Sequence, residues 1–155
     1  MKIIILRHGE AVFSCNDRIL SSKGINEALT TANKISSITR ISKCFCSPKT
    51  RARQTCQIAV NNLGYEGDVE YLRELSPSGN PQYIISYLET TCSDNDVVLL
   101  VSHLPLVELL SYQINGKNEF PPSFDTACAL VLDYDKVRGR YERFISPYND
   151  DRIFE

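Results

Sequence analysis

The sequence predicts an α/β protein, a three-layer α/β/α sandwich with a mostly parallel central sheet. Two observations favour this fold: five apolar strand candidates alternate with segments of helical period, and the strands are apolar on both faces. At 155 residues, we expect a single domain over residues 1–155. The strand candidates are Lys2–Leu6, Ile41–Cys46, Val69–Leu72, Asp96–Val101 and Ala127–Leu132.

Four helices are predicted around these strands. The first has a one-sided apolar stripe, and Ser21 or Ser22 is available as its N-cap. The other three begin near a proline, which suits the first helical turn because proline lacks an N–H group. Their starts are Ser47-Pro48, Asn80-Pro81 and Pro105, and the second helix is expected to end near Asn62. The stripe consists of Ile25, Ala28, Leu29, Ala32 and Ile35.

The remaining segments are predicted as an edge strand and two loops. Arg140–Ile145 is a candidate edge strand that follows a turn at Val137–Gly139. Phe13–Ser22 and Asn115–Asp125 are expected to be loops long enough to border a pocket.

Composition narrows the functional classes. A net charge of −2 and 43% hydrophobic residues indicate an ordinary soluble globular chain, without the basic field that favours nucleic acid or an anionic membrane. The apolar stretch Ile3–Leu6 is far shorter than a secretory signal or a membrane span. We expect a cytoplasmic protein.

The six cysteines are expected to be reduced and mostly buried, because no secretory signal is evident. Cys44 and Cys46 form a C-x-C motif, which is an alternative candidate for metal binding. Their alternation fits a strand, and no second cysteine pair or histidine cluster lies nearby in the sequence. We therefore expect no metal site and no cofactor.

The only two histidines both follow apolar strands. His8 comes directly after the first strand, and His103 comes after the fourth. A single histidine is more often structural than catalytic. Ligands of such sheets collect at the carboxyl ends of the strands, so adjacent strands would bring both imidazoles to one site.

Basic residues at the start of the second helix point to the same edge. Lys49, Arg51 and Arg53 lie near the positive end of the helix dipole, where each cation costs about 0.3–1 kcal/mol. For Lys49 and Arg53 we expect a solvated face. An anion on the helix N-terminus, bound by Arg51, reverses the sign of that cost.

These residues predict phosphoryl transfer. Arg7 and Arg51 are suited to hold the phosphoryl oxygens, and a neutral histidine is a competent nucleophile near pH 7. A phosphohistidine intermediate would divide one difficult step into two.

Four motifs resemble the histidine phosphatase, or phosphoglycerate mutase-like, superfamily, and more narrowly its short SixA-type phosphohistidine phosphatases. The segment Pro121–Asp133 also resembles the closing part of that branch. The motifs are RHGEA (7–11), LSSKG (20–24), SPKTRARQT (47–55) and SHLPLV (102–107).

The resemblance implies a phosphatase with a phosphoglycerate mutase-like fold and assigns roles by position. His8 matches the nucleophile, Arg7 and Arg51 match the arginines of the phosphate pocket, and His103 matches the second pocket histidine. Arg18 matches a basic position at the pocket mouth, or it is a surface arginine.

Glu74 occupies the position at which larger members of the superfamily carry a proton donor. It is either a general acid or a structural, salt-bridging residue. The following Ser-Pro-Ser-Gly resembles the SixA branch, in which a dedicated acid is not evident. The labile P–N bond of phosphohistidine needs less acid assistance, because a protonated imidazole leaves well.

The expected substrate is a phosphohistidine-bearing protein, because 155 residues leave little chain for a lid over the pocket. One alternative is the hydrolysis of small phosphomonoesters such as sugar phosphates, with Glu74 as the acid. Another is a phosphate-binding module without catalysis. Nothing in the sequence demands a dimer, so a monomer is compatible with it.

Overall fold

The computed structural model describes residues 1–155. Nine strands, four helices and one 3₁₀ turn follow each other along the chain. They are β1 (Lys2–Arg7), β2 (Ala11–Ser14), β3 (Asp17–Leu20), α1 (Ser22–Ser36), β4 (Lys43–Cys46), α2 (Thr50–Asn62), β5 (Val69–Tyr71), the 3₁₀ turn (Arg73–Leu75), α3 (Pro81–Thr91), β6 (Val97–Ser102), α4 (Leu106–Ile114), β7 (Ala129–Tyr134), β8 (Gly139–Ile145) and β9 (Arg152–Ile153).

Seven strands form the central sheet in the order β5-β4-β6-β1-β7-β8-β9. The first four of these strands are parallel to one another, whereas β7 pairs antiparallel with β1, and β8 pairs antiparallel with β7. The α/β class with a mostly parallel sheet is confirmed. The site-bearing strands β1 and β6 are adjacent at the centre of the sheet.

Helices cover both faces of this sheet, as the apolar strands predicted. Along β1, Ile3 and Ile5 face a core built with α3 and α4, whereas Ile4 and Leu6 face a core built with α1 and α2. All four side chains are fully buried, and each contributes roughly 1.5–3 kcal/mol by leaving water.

The fifth predicted strand, β7, runs antiparallel to its neighbour β1. The apolar pattern of the strands did not predict this direction. Helix α4 starts beside His103 and ends at Ile114, near Gly139 at the opposite end of the sheet. The long loop then returns the chain to the site edge, where the N–H of Ala127 donates to the carbonyl of His8 at 3.0 Å. Strand β7 therefore begins where β1 ends.

The predicted loop Phe13–Ser22 is wrong, because most of it forms the hairpin β2–β3. Cys15 and Asn16 turn the chain with φ values of 50° and 63°, the left-handed backbone of a two-residue hairpin turn. The usual Asn-Gly or Asp-Gly signal is absent from Cys15-Asn16, which explains why the sequence pattern did not reveal the hairpin.

Three helix starts agree with prediction, among them that of α4, where Pro105 is the N-cap, and one does not. The Ser21 hydroxyl accepts from the N–H of Gly24 at the start of α1, and the Asn80 side chain caps α3. Helix α2 begins at Thr50 rather than at Ser47-Pro48, and no side chain caps it. The Ser47 hydroxyl is bonded to His103 instead, at 2.8 Å.

The buried face of α1 is rotated relative to the predicted apolar stripe. Ile25 and Leu29 are exposed, whereas Glu27 and Thr31 are buried. Burial of these polar side chains is compensated by hydrogen bonds: Glu27 accepts from the N–H of Glu10 at 2.9 Å, and Thr31 donates to the carbonyl of Ala127 at 2.6 Å.

Five of the six cysteines are buried, all six are free, and Cys15 is exposed. No three histidine, cysteine, aspartate or glutamate side chains lie close enough together to hold a metal ion. No helix combines the length and the apolar character needed to cross a membrane.

Candidate active site

The pairing of β1 with β6 brings the two histidines together. Arg7 lies opposite Ser102 in the parallel register, and the N–H of His8 donates to the carbonyl of Ser102 at 3.0 Å. The imidazole centroids of His8 and His103 are 4.9 Å apart, with the ring planes at 64°. Both rings are buried. The carboxyl ends of the two central strands thus carry one common site.

Hydrogen bonds define which nitrogen of His8 is available. Its Nδ1 lies 2.7 Å from the carbonyl oxygen of Gly9, which can only accept, so Nδ1 carries the proton. Arg51 Nε donates to Nε2 at 3.3 Å. The lone pair of a neutral His8 is therefore on Nε2, the atom that faces the arginine.

Burial keeps both histidines neutral at pH 7. It lowers the pKa of His8 to about 4, and the positive charges of Arg51, Arg7 and Arg18 act in the same direction. Burial, followed by the charges of His8 and Arg51, lowers the pKa of His103 to about 3. A neutral imidazole is the nucleophilic form.

Ser47 positions His103. The hydroxyl lies 2.8 Å from Nε2 of the ring and also accepts from the N–H of Lys49 at 3.3 Å. When this hydroxyl donates its proton to Nε2, the ring proton of His103 is on Nδ1. His103 Nδ1 is buried and has no protein partner. This donor is thus available to an anion.

Arg7 also has unused bonding capacity. Its Nη1 donates to the carbonyl of Phe124 at 2.8 Å, whereas its Nε is buried without a partner. Burial lowers the pKa of Arg7, and the charge of Asp125 opposes that shift. A guanidinium with an unpaired buried N–H is well suited to bind an anion.

Arg51 stands on the first turn of α2, and its Nε contacts His8. Burial, together with the charge of Arg18, lowers the pKa of the Arg51 guanidinium. Two positive side chains that are close enough to repel each other attract an anion placed between them strongly. The exposed Lys49 and Arg53 lie on the solvated side, where Arg53 packs on the ring of Tyr71 at 4.8 Å.

Thr55 and Gly9 fix the loop that carries His8. The N–H of Gly9 donates to Thr55 Oγ1 at 3.1 Å, and this hydroxyl donates to the carbonyl of Arg51 at 2.9 Å. A Cβ at Gly9 would lie 2.5 Å from the carbonyl oxygen of Gly24, so the close approach of α1 requires glycine. Thr55 thus joins the two halves of the site.

Arg18 lies at the edge of this cluster and Glu74 lies outside it. Arg18 is half-buried on β3, and its charge lowers the pKa of both His8 and His103. Glu74 lies in the 3₁₀ turn, where the neighbouring carbonyl of Leu75 accepts from the Ser102 hydroxyl at 2.5 Å, and it lines a cavity of about 320 Å³. No hydrogen bond or ion pair links Glu74 to the cluster formed by His8, Arg7, Arg51 and His103.

The four residues at the centre of the cluster are those that the sequence predicts, whereas Ser47 and Thr55 are additional. The sequence places Ser47 at a helix start and gives no sign that its hydroxyl contacts His103. Thr55 lies one turn after Arg51 on α2, so helical spacing alone would have placed it near the site.

Comparison with known proteins defines the class. Residues 3–76 match the histidine phosphatase superfamily (branch 1). The chain is 31% identical over 155 residues to phosphohistidine phosphatase SixA of Escherichia coli, covering 96% of each chain. It is 33% identical over 153 residues to the SixA homolog of Haemophilus influenzae, covering 87% of this chain and 89% of the relative.

The fold supports the same class. A solved structure of the protein histidine phosphatase SixA complexed with tungstate superimposes with a TM-score of 0.88 at 29% identity, covering 95% of this chain and 97% of that chain. The protein is an enzyme of the phosphatase class of hydrolases. Within that class, the chain belongs to the SixA family of the histidine phosphatase superfamily.

Proposed function

We propose that this phosphatase hydrolyses phosphohistidine on a protein through a phosphorylated His8. The observation that carries the proposal is the His8 Nε2 lone pair, held beside Arg51 in a buried ring that is neutral at pH 7. The names of the relatives, which act on phosphohistidine, support the substrate class.

In the first step, Arg7, Arg51 and His103 bind the phosphoryl oxygens. The Nε2 lone pair of His8 forms a bond to phosphorus while the P–N bond of the substrate breaks. A substrate imidazole that is protonated on its other nitrogen leaves as a neutral ring, so the protein need not supply a proton. The arginines stabilise the negative charge on the three equatorial oxygens.

In the second step, water attacks the phosphorus of phospho-His8. The P–Nε2 bond breaks, the electron pair returns to Nε2, and both protons of the water remain with the inorganic phosphate, which forms as H2PO4−. Nδ1–H stays bonded to the Gly9 carbonyl throughout, so His8 also leaves as a neutral imidazole. The Gly9 carbonyl therefore assists both steps by holding one tautomer.

The position of Glu74 favours a phosphoramidate over a phosphomonoester. An alkoxide leaving group needs a proton donor, and no hydrogen bond or ion pair holds the Glu74 carboxylate against the cluster that contains His8. We infer that Glu74 has a structural role in the 3₁₀ turn. Because five of the six free cysteines are buried thiols, we further propose a reducing, cytoplasmic location.

The proposal is tested by a side-by-side rate comparison. We expect turnover of a phosphohistidine protein to exceed that of a panel of sugar and aryl phosphates. His8→Ala should abolish turnover and the acid-labile labelling of the enzyme, whereas Glu74→Gln should leave the phosphohistidine rate within about twofold of the original. Retained turnover in His8→Ala would refute the proposal. A large loss in Glu74→Gln, with faster hydrolysis of a phosphomonoester, would favour the small-molecule alternative.

A further inference from the structure

The hairpin β2–β3 exposes an aromatic side chain. Phe13 is 82% exposed, and Val12, on the opposite face of the hairpin, is 45% exposed. The two strands pair only with each other and form a sheet of their own, separate from the central sheet. Aromatic side chains are frequent anchors in protein interfaces.

Strand register connects Phe13 to the pocket. Phe13 lies directly opposite Arg18 in the antiparallel pair, so both side chains are on one face of the hairpin, with Cβ atoms about 4.5–5.5 Å apart. Asp17, the residue before Arg18, accepts from the hydroxyl of Thr50, which precedes Arg51 on α2, and the charge of Arg18 lowers the pKa of His8, Arg51 and His103. Phe13 therefore borders the mouth of the site on the side of Arg18.

Hydrogen bonds anchor the hairpin on the helix that carries Arg51. Asp17 Oδ2 accepts from the Thr50 hydroxyl at 2.6 Å, and the N–H of Leu20 donates to Gln54 Oε1 at 2.7 Å. Phe13 is consequently presented from a fixed support, which reduces the entropy lost when a partner binds it.

The surroundings of Phe13 are positively charged. Arg18 lies opposite Phe13, and the exposed Lys49 precedes Thr50, which donates to Asp17 of the hairpin. The carboxylate of Asp17 offsets one of these two positive charges and leaves the other. The chain as a whole has a net charge of −2, but the surface next to Phe13 is positive. This surface thus complements a partner that is acidic around its phosphorylated residue.

We propose that the pair Phe13 and Arg18 docks the phosphohistidine-bearing protein, through an apolar patch flanked by acidic residues next to its phosphorylated histidine. The inference rests on the proposed function and adds the recognition element of that substrate. A small phosphoramidate fills the phosphoryl site without extending to the hairpin, so its hydrolysis does not depend on Phe13.

The test compares two substrates in each variant: an acidic protein domain phosphorylated on one surface histidine, and the phosphoramidate ion. Phe13→Ala should lower kcat/KM for the protein about tenfold, chiefly through KM, and leave kcat/KM for phosphoramidate within twofold. Phe13→Asp should lower the protein rate further, by placing a negative charge against the acidic partner. Phe13→Tyr should restore most of the rate.

Val137→Asp is the matched control, because Val137 is also highly exposed, at 89%. It lies in the turn between β7 and β8, away from the carboxyl ends of β1 and β6, where the site is. It should leave both substrates unchanged. Equal losses on both substrates in Phe13→Ala, or an unchanged rate on the protein in Phe13→Asp, would overturn the docking role. If the unmodified enzyme fails on the phosphorylated domain but hydrolyses phosphoesters, the proposed function itself is refuted.

Discussion

Burial sets the chemistry of the individual residues at this site. His8 and His103 are 4% and 1% exposed, and arginines lie next to both, so each ring is a neutral imidazole with a single N–H proton at neutral pH. Their tautomers are then determined by neighbours that do not take part in the reaction themselves. The carbonyl of Gly9 fixes one ring and the hydroxyl of Ser47 fixes the other.

Ser47→Ala should therefore lower kcat more than it raises KM. Without the hydroxyl, His103 Nε2 loses its hydrogen bond in a buried position, a cost of about 1–3 kcal/mol or roughly 5- to 160-fold in rate. The measurement is steady-state kinetics on a phosphohistidine substrate, together with the ¹⁵N chemical shifts of the two imidazoles. Ser47→Thr should retain the tautomer, and Ser78→Ala, in the loop before α3, serves as the control.

An unchanged kcat in Ser47→Ala, with the ¹⁵N shifts of His103 also unchanged, would contradict a positioning role for Ser47. A purely structural role would instead reduce stability without altering the tautomer. The nitrogen shifts separate these two cases, because they report the ring proton directly.

At the scale of elements, α2 joins most parts of the site. Its first turn carries Arg51, its next turn carries Thr55, and its N-terminal half supports the hairpin through Thr50 and Gln54. The helix starts late because the Ser47 hydroxyl is engaged with His103 and Lys49 becomes the N-cap. The start of α2 is thus less stable because it has no side-chain cap, while the same Ser47 hydroxyl orients the imidazole of His103.

Thr55→Val should weaken the connection between α2 and the loop of His8. Valine preserves the shape but leaves the buried N–H of Gly9 without an acceptor, at a cost of about 1–3 kcal/mol in the free energy of unfolding. Urea unfolding measures this loss, and kcat should fall with it because Gly9 positions His8. Thr55→Ser keeps the hydroxyl and should behave like the original protein. Equal stability of the Val and Ser variants would show that the Gly9 bond contributes nothing.

At the scale of the whole molecule, the buried histidines link folding to pH. In the unfolded chain a histidine has a pKa near 6.5, whereas the folded values are about 4 for His8 and about 3 for His103. Between these values the unfolded state binds more protons than the folded state. The free energy of unfolding is therefore greatest above pH 6.5 and falls as the pH decreases toward 4.

From pH 7 to pH 5 each histidine should remove about 2 kcal/mol from the free energy of unfolding. Urea unfolding at a series of pH values, followed by circular dichroism and tyrosine fluorescence, measures this loss. We propose that residues 1–155 form one domain, so both probes should report the same transition. His8→Asn should show a smaller pH dependence. A stability that stays constant from pH 7 to pH 5 would contradict the neutral, buried state of the rings.

The sequence by itself determined the α/β class, the apolar strands, two of the helix caps and the placement of both histidines after strands. These features follow from local physics, because apolar periodicity and capping residues act within a few positions along the chain. The adjacency of His8 and His103 followed from one further assumption about strand order, which the pairing of β1 with β6 confirmed.

Only the tertiary structure decided the antiparallel direction of β7, the hairpin that carries Phe13, and the bond between Ser47 and His103. Each of these depends on which distant segments meet. The pKa values of the histidines belong to the same group, because burial and neighbouring charges arise only after the chain has folded. Local sequence specified the chemical groups, and long-range packing set their orientation and charge.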